Sequence, residues 1–155
     1  MTLRKRTGPA NPAMLAPWMD LEALAEVEVS SEDPKWPIDG ALIEGDGRGW
    51  RAAVPGDQNL RVRFDAPQSL GVIHLVFEEG EHERVQEFTL RWSPDRGRTF
   101  HSLVRQQFTF SPAGAIRETE NYDVDLQDVT DLELHIVPDV SRRPLIATLS
   151  ELRLR

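Results

Sequence analysis

The feature that most constrains this chain is a side-chain period of two. Leu60, Val62 and Phe64 alternate with Arg61 and Arg63. Phe88, Leu90 and Trp92 alternate with Glu87, Thr89 and Arg91. Tyr122, Val124 and Leu126 alternate with two aspartates, and Leu132, Leu134 and Ile136 alternate with Glu133 and His135. Successive side chains of a strand point to opposite faces, so each run predicts a strand with one buried and one wet face. Gly71–Phe77 is a more continuous apolar run and predicts a central strand. Residues 99–107 and 145–154 read as further strands. Ser93-Pro94-Asp95-Arg96-Gly97 supplies the residues a tight hairpin needs, and Asp65-Ala66-Pro67 and Pro55-Gly56-Asp57 read as turns too. About eight short strands with regular turns and no long helical pattern predict an all-β fold, an antiparallel β-sandwich or jelly roll.

Composition narrows what such a domain meets. The 155 residues suit one domain. With 18 Lys plus Arg against 26 Asp plus Glu, the formal charge is −8, which repels nucleic-acid phosphates and anionic membrane surfaces. There is no cysteine, which removes disulfides and thiolate zinc sites and fits a reducing compartment. The basic start, Arg4-Lys5-Arg6, is followed by Pro9, Asn11, Pro12 and Pro17 rather than by the apolar run of a signal peptide. No stretch approaches the ~20 apolar residues of a membrane span. A soluble, cytoplasmic protein is the expectation.

The chain divides near residue 25. Residues 1–24 are read as a Pro-rich arm ending in a short helical turn over 18–25, with Leu21 and Leu24 on one face. Residues 25–155 are read as the sandwich. Two connections are too long for hairpins, Ser30–Val54 and Ser111–Asn121. The first holds Trp36, Trp50 and the turn pair Asp39-Gly40.

Several segments, taken in order, resemble the discoidin family. They are Ile38-Asp39-Gly40 and Gly49-Trp50, Leu60–Asp65, Ile73-His74-Leu75, Phe88–Phe100 with its Ser93-Pro94-Asp95-Arg96-Gly97 turn, and the closing Glu151-Leu152-Arg153-Leu154. The family comprises coagulation-factor C-type domains and bacterial carbohydrate-binding relatives of galactose-binding-like fold. The resemblance spans residues 26–155. The terminal cysteine pair of the animal members is absent, and Gly49 stands where the family often has threonine. The resemblance implies a non-catalytic module that binds a carbohydrate or similar polyol through loops at one end of the sandwich. It also implies a structural calcium between the Asp-Gly loop and the last strand, for which Asp39, Asp46 and Glu151 are the matching or nearby carboxylates.

Loop residues supply the candidate ligand site. Trp36 offers a stacking platform, set against a plain role as a plug over the end of the sandwich. His82, Arg84 and Gln86 in the Glu78–Gln86 loop, and Gln106 beyond it, offer hydrogen bonds to hydroxyls. The plain reading of the 78–84 run is a solvated acidic loop. Trp50 and Trp92 read as core. His74, His82, His101 and His135 lack any metal-ligand spacing, and no enzyme motif is present. The alternative is a cytoplasmic protein-interaction or assembly domain with no sugar ligand, its basic arm docking on another acidic copy.

Overall fold

A computed structural model describes residues 16–45 and 47–155. The expected arm therefore lies largely outside the described residues, as does Asp46. The elements run α1 (Leu21–Leu24), β1 (Ala25–Val29), α2 (Asp39–Leu42), β2 (Trp50–Arg51), β3 (Gln58–Glu78), β4 (Arg84–Ser93), β5 (His101–Phe110), β6 (Arg117–Val137), β7 (Thr148–Leu149) and β8 (Glu151–Leu154). The expected helical turn is α1. Asp20 caps it by accepting a hydrogen bond from the Ala23 amide, and Leu21 is buried.

The architecture follows from two long bent strands. The first part of β3 pairs with β1 and with the last part of β6, which continues through β4 to β5. The last part of β3 pairs with the first part of β6 and with β8. Each long strand thus serves both layers of an antiparallel sandwich. The bend falls where the β3–β6 register shifts, between Arg63 and Val72. This corrects one expectation: Asp65-Ala66-Pro67 is not a turn but an irregular stretch inside a continuous strand. Bulges are where a strand tolerates proline, because the ladder is already interrupted there. Asp128, in the left-handed region at φ 56, marks the matching irregularity in β6. The Ser93–Gly97 segment also differs from a tight hairpin, because Trp92 pairs with His101 across an eight-residue connection.

The inward sets predicted by the period form the core. Leu60, Val62, Phe64, Phe88, Leu90, Leu132, Leu134 and Ile136 are buried from one layer, and Ile73, Leu75, Phe77, Leu152 and Leu154 from the other. The Phe77 and Phe88 rings stack across the layers at 5.1 Å. Trp50 is core, its indole N–H donating to the Ser31 carbonyl at 3.0 Å. Trp92 packs against the core from a half-buried position beside His101. The long Ser30–Val54 connection contains α2 and β2, neither of which has a periodic signal. Gly40 and Gly49 let its backbone close on itself: a Cβ on Gly40 would meet the Gly49 carbonyl at 2.7 Å. Gly49 sits at φ 79 with Leu149 and Ser150 backbone against it, so the family's threonine would be strained there. Among the described residues no helix is long and apolar enough to cross a membrane.

Candidate functional site

A cavity of about 470 Å³ opens at one end of the sandwich, lined by Arg51, the Glu78–His82 loop, Arg84, Pro144–Ile146 and Thr148. Its parts come from three places. The β3–β4 connection carries Glu79 and His82. The inward face of β4 carries Arg84. The short β2–β7 ladder sets Arg51 opposite Thr148.

Arg84 is the anchor. Its side chain is 1% exposed. One guanidinium nitrogen donates to the Ile146 carbonyl at 2.9 Å, and another lies 3.4 Å from Glu79 Oε2. Burial pulls the Arg84 pKa down, while Glu79 and Asp139 pull it back up. The other oxygen of Glu79 accepts from the Glu81 and His82 amides at 2.9 and 2.7 Å, with His82 Nδ1 at 3.3 Å. Burial alone would raise the Glu79 carboxyl, but the His82 and Glu81 amides and the Arg84 charge outweigh it and hold it below the ordinary value. The result is an ionised carboxylate with its orientation fixed from three sides. Two neighbours buttress it: Arg143 donates to the Glu83 carbonyl and pairs with buried Asp139 at 2.7 Å.

Trp36 adjoins this cavity through Arg51. The Arg51 amide donates to the Trp36 carbonyl at 3.1 Å, and the Arg51 guanidinium lies 5.0 Å from the centre of the Trp36 ring. Arg48 lies 5.6 Å from the same ring. The tryptophan is half-buried, so neither the bare platform nor the plain plug describes it fully.

The expected ligand residues therefore divide. Trp36, His82 and Arg84 gather at one end. Gln86 does not join them: it lies in β4, 1% exposed, pointing inward with neither amide atom hydrogen-bonded among the described residues. Gln106 sits in β5 opposite Phe88, and its amide donates only to the Gln107 carbonyl. Arg84 is a strand residue too, so the connection proper is shorter than Glu78–Gln86. Sequence reasoning missed Arg51 and Glu79. Glu79 was hidden in a run of acids. The period of two would have placed Arg84 on the inward face of the strand rather than in the loop, since stepping back from Phe88 by twos reaches Gln86 and Arg84.

The calcium residues are placed differently. Asp39 is exposed at the start of α2, and Glu151 lies 3.3 Å from His74 Nε2. The junction of α2 and β8 is spanned instead by the buried Arg153, whose guanidinium donates to the Ala41 carbonyl at 2.7 Å. Among the described residues no group of three or more His, Asp and Glu side chains gathers where a metal could be held. His74 and His135 line sheet faces, bridging Asn121 and Asn59 across strands at 2.7 and 2.6 Å.

No family model and no curated protein matches the chain. Solved structures do match in fold. A family 32 carbohydrate-binding module from Clostridium perfringens, in complex with GalNAc-β-1,3-galactose, aligns with TM-score 0.63 and 13% identity, over 89% of this chain and 99% of that one. An F5/8 type C domain from Bacteroides fragilis aligns with TM-score 0.60 and 15% identity, over 94% and 97%. A Ruminococcus gnavus GH29 fucosidase in complex with fucose aligns with TM-score 0.65 and 11% identity, over 85% of this chain but only 25% of the enzyme. The chain spans about a quarter of that protein. The fold is the galactose-binding-like sandwich that the discoidin resemblance implied.

Proposed function

We propose that this chain is a non-catalytic carbohydrate-binding module that takes a sugar in the Arg51–Glu79–His82–Arg84 cavity. One observation carries the reading: Glu79 is held ionised and oriented in an open cavity with an apolar wall of Pro144, Leu145 and Ile146. A fixed carboxylate accepts from sugar hydroxyls without first having to be ordered, and the apolar wall suits the C–H faces of the ring. His82, with its side chain half exposed, adds a donor or acceptor at the rim. Support comes from the neighbours in fold, among them the module solved with a disaccharide.

The same electrostatics argue against glycoside hydrolysis at this site. A general acid needs a carboxyl with a raised pKa. Glu79 is shifted the other way. A protein-docking module would want a broad apolar patch. The exposed large hydrophobics among the described residues are Val54, Ile116 and Val140, none of which lines the cavity.

A glycan array followed by calorimetric titration tests the proposal. At least one saccharide binds the native chain, Glu79→Ala and His82→Ala weaken that binding tenfold or more, and Trp36→Ala weakens it less. Silence across the array, or binding indifferent to both cavity substitutions, removes the reading.

A further inference from the structure

We infer that the saccharide recognised here carries a carboxylate, a uronic acid residue, and that Arg51 is the group that reads it. The inference rests on the carbohydrate reading above and adds the ligand's charge.

The basis is a break in how this acidic chain uses its cations. Over much of the sheet surface an arginine is matched to an acid. Arg61 and Arg91 share Glu133, Arg105 meets Glu87, Arg117 meets Glu78 and Arg142 meets Asp57. Among the described residues Arg96, Arg153 and Arg155 donate to backbone carbonyls instead, and Arg98 has no ion pair, but only around Trp36 do unmatched cations cluster beside a cavity. Among the described residues, Lys35, Arg48 and Arg51 have no carboxylate within ion-pair distance, although they sit in a chain with an excess of eight negative charges. Arg48 donates to the Lys35 carbonyl at 3.3 Å, which ties the three into one corner.

Arg51 is the member of this corner that lines the cavity. Its backbone is fixed on both sides, by the Trp36 carbonyl and by the ladder to β7. Its guanidinium lies over an aromatic face, which orients the plane while leaving the edge N–H donors free. A free, pre-oriented planar fork is matched by a planar carboxylate, which takes two parallel hydrogen bonds from it. A neutral sugar can offer the fork single hydroxyl acceptors, but neither the charge nor the paired planar geometry of a carboxylate.

The acids of the rim do not cancel this. Glu78 is neutralised by Arg117, and Glu79 by Arg84 and two amides. Glu81 is exposed to water. The cavity is therefore bipolar, with a cationic side at Arg51 and an accepting side at Glu79. A uronate has the complementary layout: one carboxylate, with hydroxyls elsewhere on the ring.

The test compares saccharides of the same backbone. De-esterified oligogalacturonate, its full methyl ester, a neutral galacto-oligosaccharide and a sulfated one are titrated into the full chain at low and high salt. The acid is expected to bind at least tenfold tighter than its ester, with the difference shrinking in high salt. Arg51→Gln is expected to abolish that preference, so that acid and ester bind the variant within about twofold of each other. Arg51→Lys, which keeps the charge but not the fork, is expected to recover only part of it. An unchanged melting temperature in both variants separates these outcomes from misfolding. Equal binding of acid and ester overturns the inference and leaves the carbohydrate reading standing. Tighter binding of the sulfated sugar overturns the carboxylate assignment. No binding of any saccharide removes the carbohydrate reading and this inference with it.

Discussion

Of the carboxylates largely withdrawn from water in this domain, Glu79 and Glu118 are handled in opposite ways. At the cavity, Glu79 is kept ionised by two amides and Arg84. On the inner face of β6, Glu118 is 2% exposed and has no hydrogen-bond partner among the described residues. Burial pushes its carboxyl up to about 8, and the neighbouring Glu120 adds to the shift. Tyr122, two steps further along the same face, is pushed up to about 12 by burial and by the same two acids. Its hydroxyl, like the amide of Gln86, is also buried without a partner. Burial penalises charge in both regions. Where donors and a cation are supplied, the group stays charged and is available to a ligand. Where they are not, the group holds its proton. The contrast is what sets Glu79, the residue used in the proposed binding site, apart from Glu118, which is a cost to stability.

The largest effect should come from breaking the first arrangement. Arg84→Met strands Glu79 beside an apolar wall, and removal of one partner of a buried pair costs about 3–5 kcal/mol. Chemical denaturation should show that loss, together with abolished ligand binding. A smaller loss, below about 1 kcal/mol, would mean that the two amides suffice for Glu79.

Glu118→Gln tests the second arrangement and should act through pH. Unfolded, this carboxyl ionises near 4.5; folded, near 8. The folded state therefore retains a proton that the unfolded chain has released. Stability falls as pH rises from about 4.5 to 8 and is level on either side. At about 1.4 kcal/mol per pKa unit, the fall is on the order of 5 kcal/mol. Denaturation curves of Glu118→Gln at pH 5 and pH 8 should lose this component, leaving the variant better matched to pH 8 than the native chain. Parallel pH dependence in the two proteins would show that Glu118 ionises freely. Glu79 contributes with the opposite sign: its lowered pKa gives stability that is present above 4.5 and lost as pH falls.

His82→Ala sharpens the comparison from the exposed side. With half its side chain in water, the residue should change stability by less than about 0.5 kcal/mol while still weakening binding. The smallest effect expected is that of calcium. With Arg153 spanning the α2–β8 junction, millimolar calcium should leave the melting temperature unchanged, and a clear rise would break that assignment.

The sequence made the sandwich legible because its core is an alternation, and alternation depends only on neighbours along the chain. Leu60, Val62 and Phe64 point inward whatever lies opposite. The bend in β3 was not legible, because Asp65-Ala66-Pro67 has the same composition whether the chain turns back or continues with an irregular register. The site was half legible. Trp36 and His82 could be picked out by residue type. Arg51 and Glu79 could not, because their roles depend on contacts between separate segments: Glu79 is oriented by Arg84, which is itself held by the carbonyl of Ile146, 62 residues away, and Arg51 reaches the cavity only through the β2–β7 ladder. Pairing of that kind leaves no mark in a local pattern.

The sharing of β3 and β6 between both layers has a consequence for how the molecule assembles. Their ladder runs from Glu78 with Arg117, 39 residues apart, to Gln58 with Ile136, 78 residues apart (136 less 58). Closing the near end first shortens the effective loop for each rung that follows, so the ladder should zip from the cavity end outward. Every rung is nevertheless a distant contact, which predicts slow folding on the millisecond-to-second scale of all-β domains. Neither layer can open without unzipping a strand that belongs to the other, so hydrogen exchange in both should report a single global event.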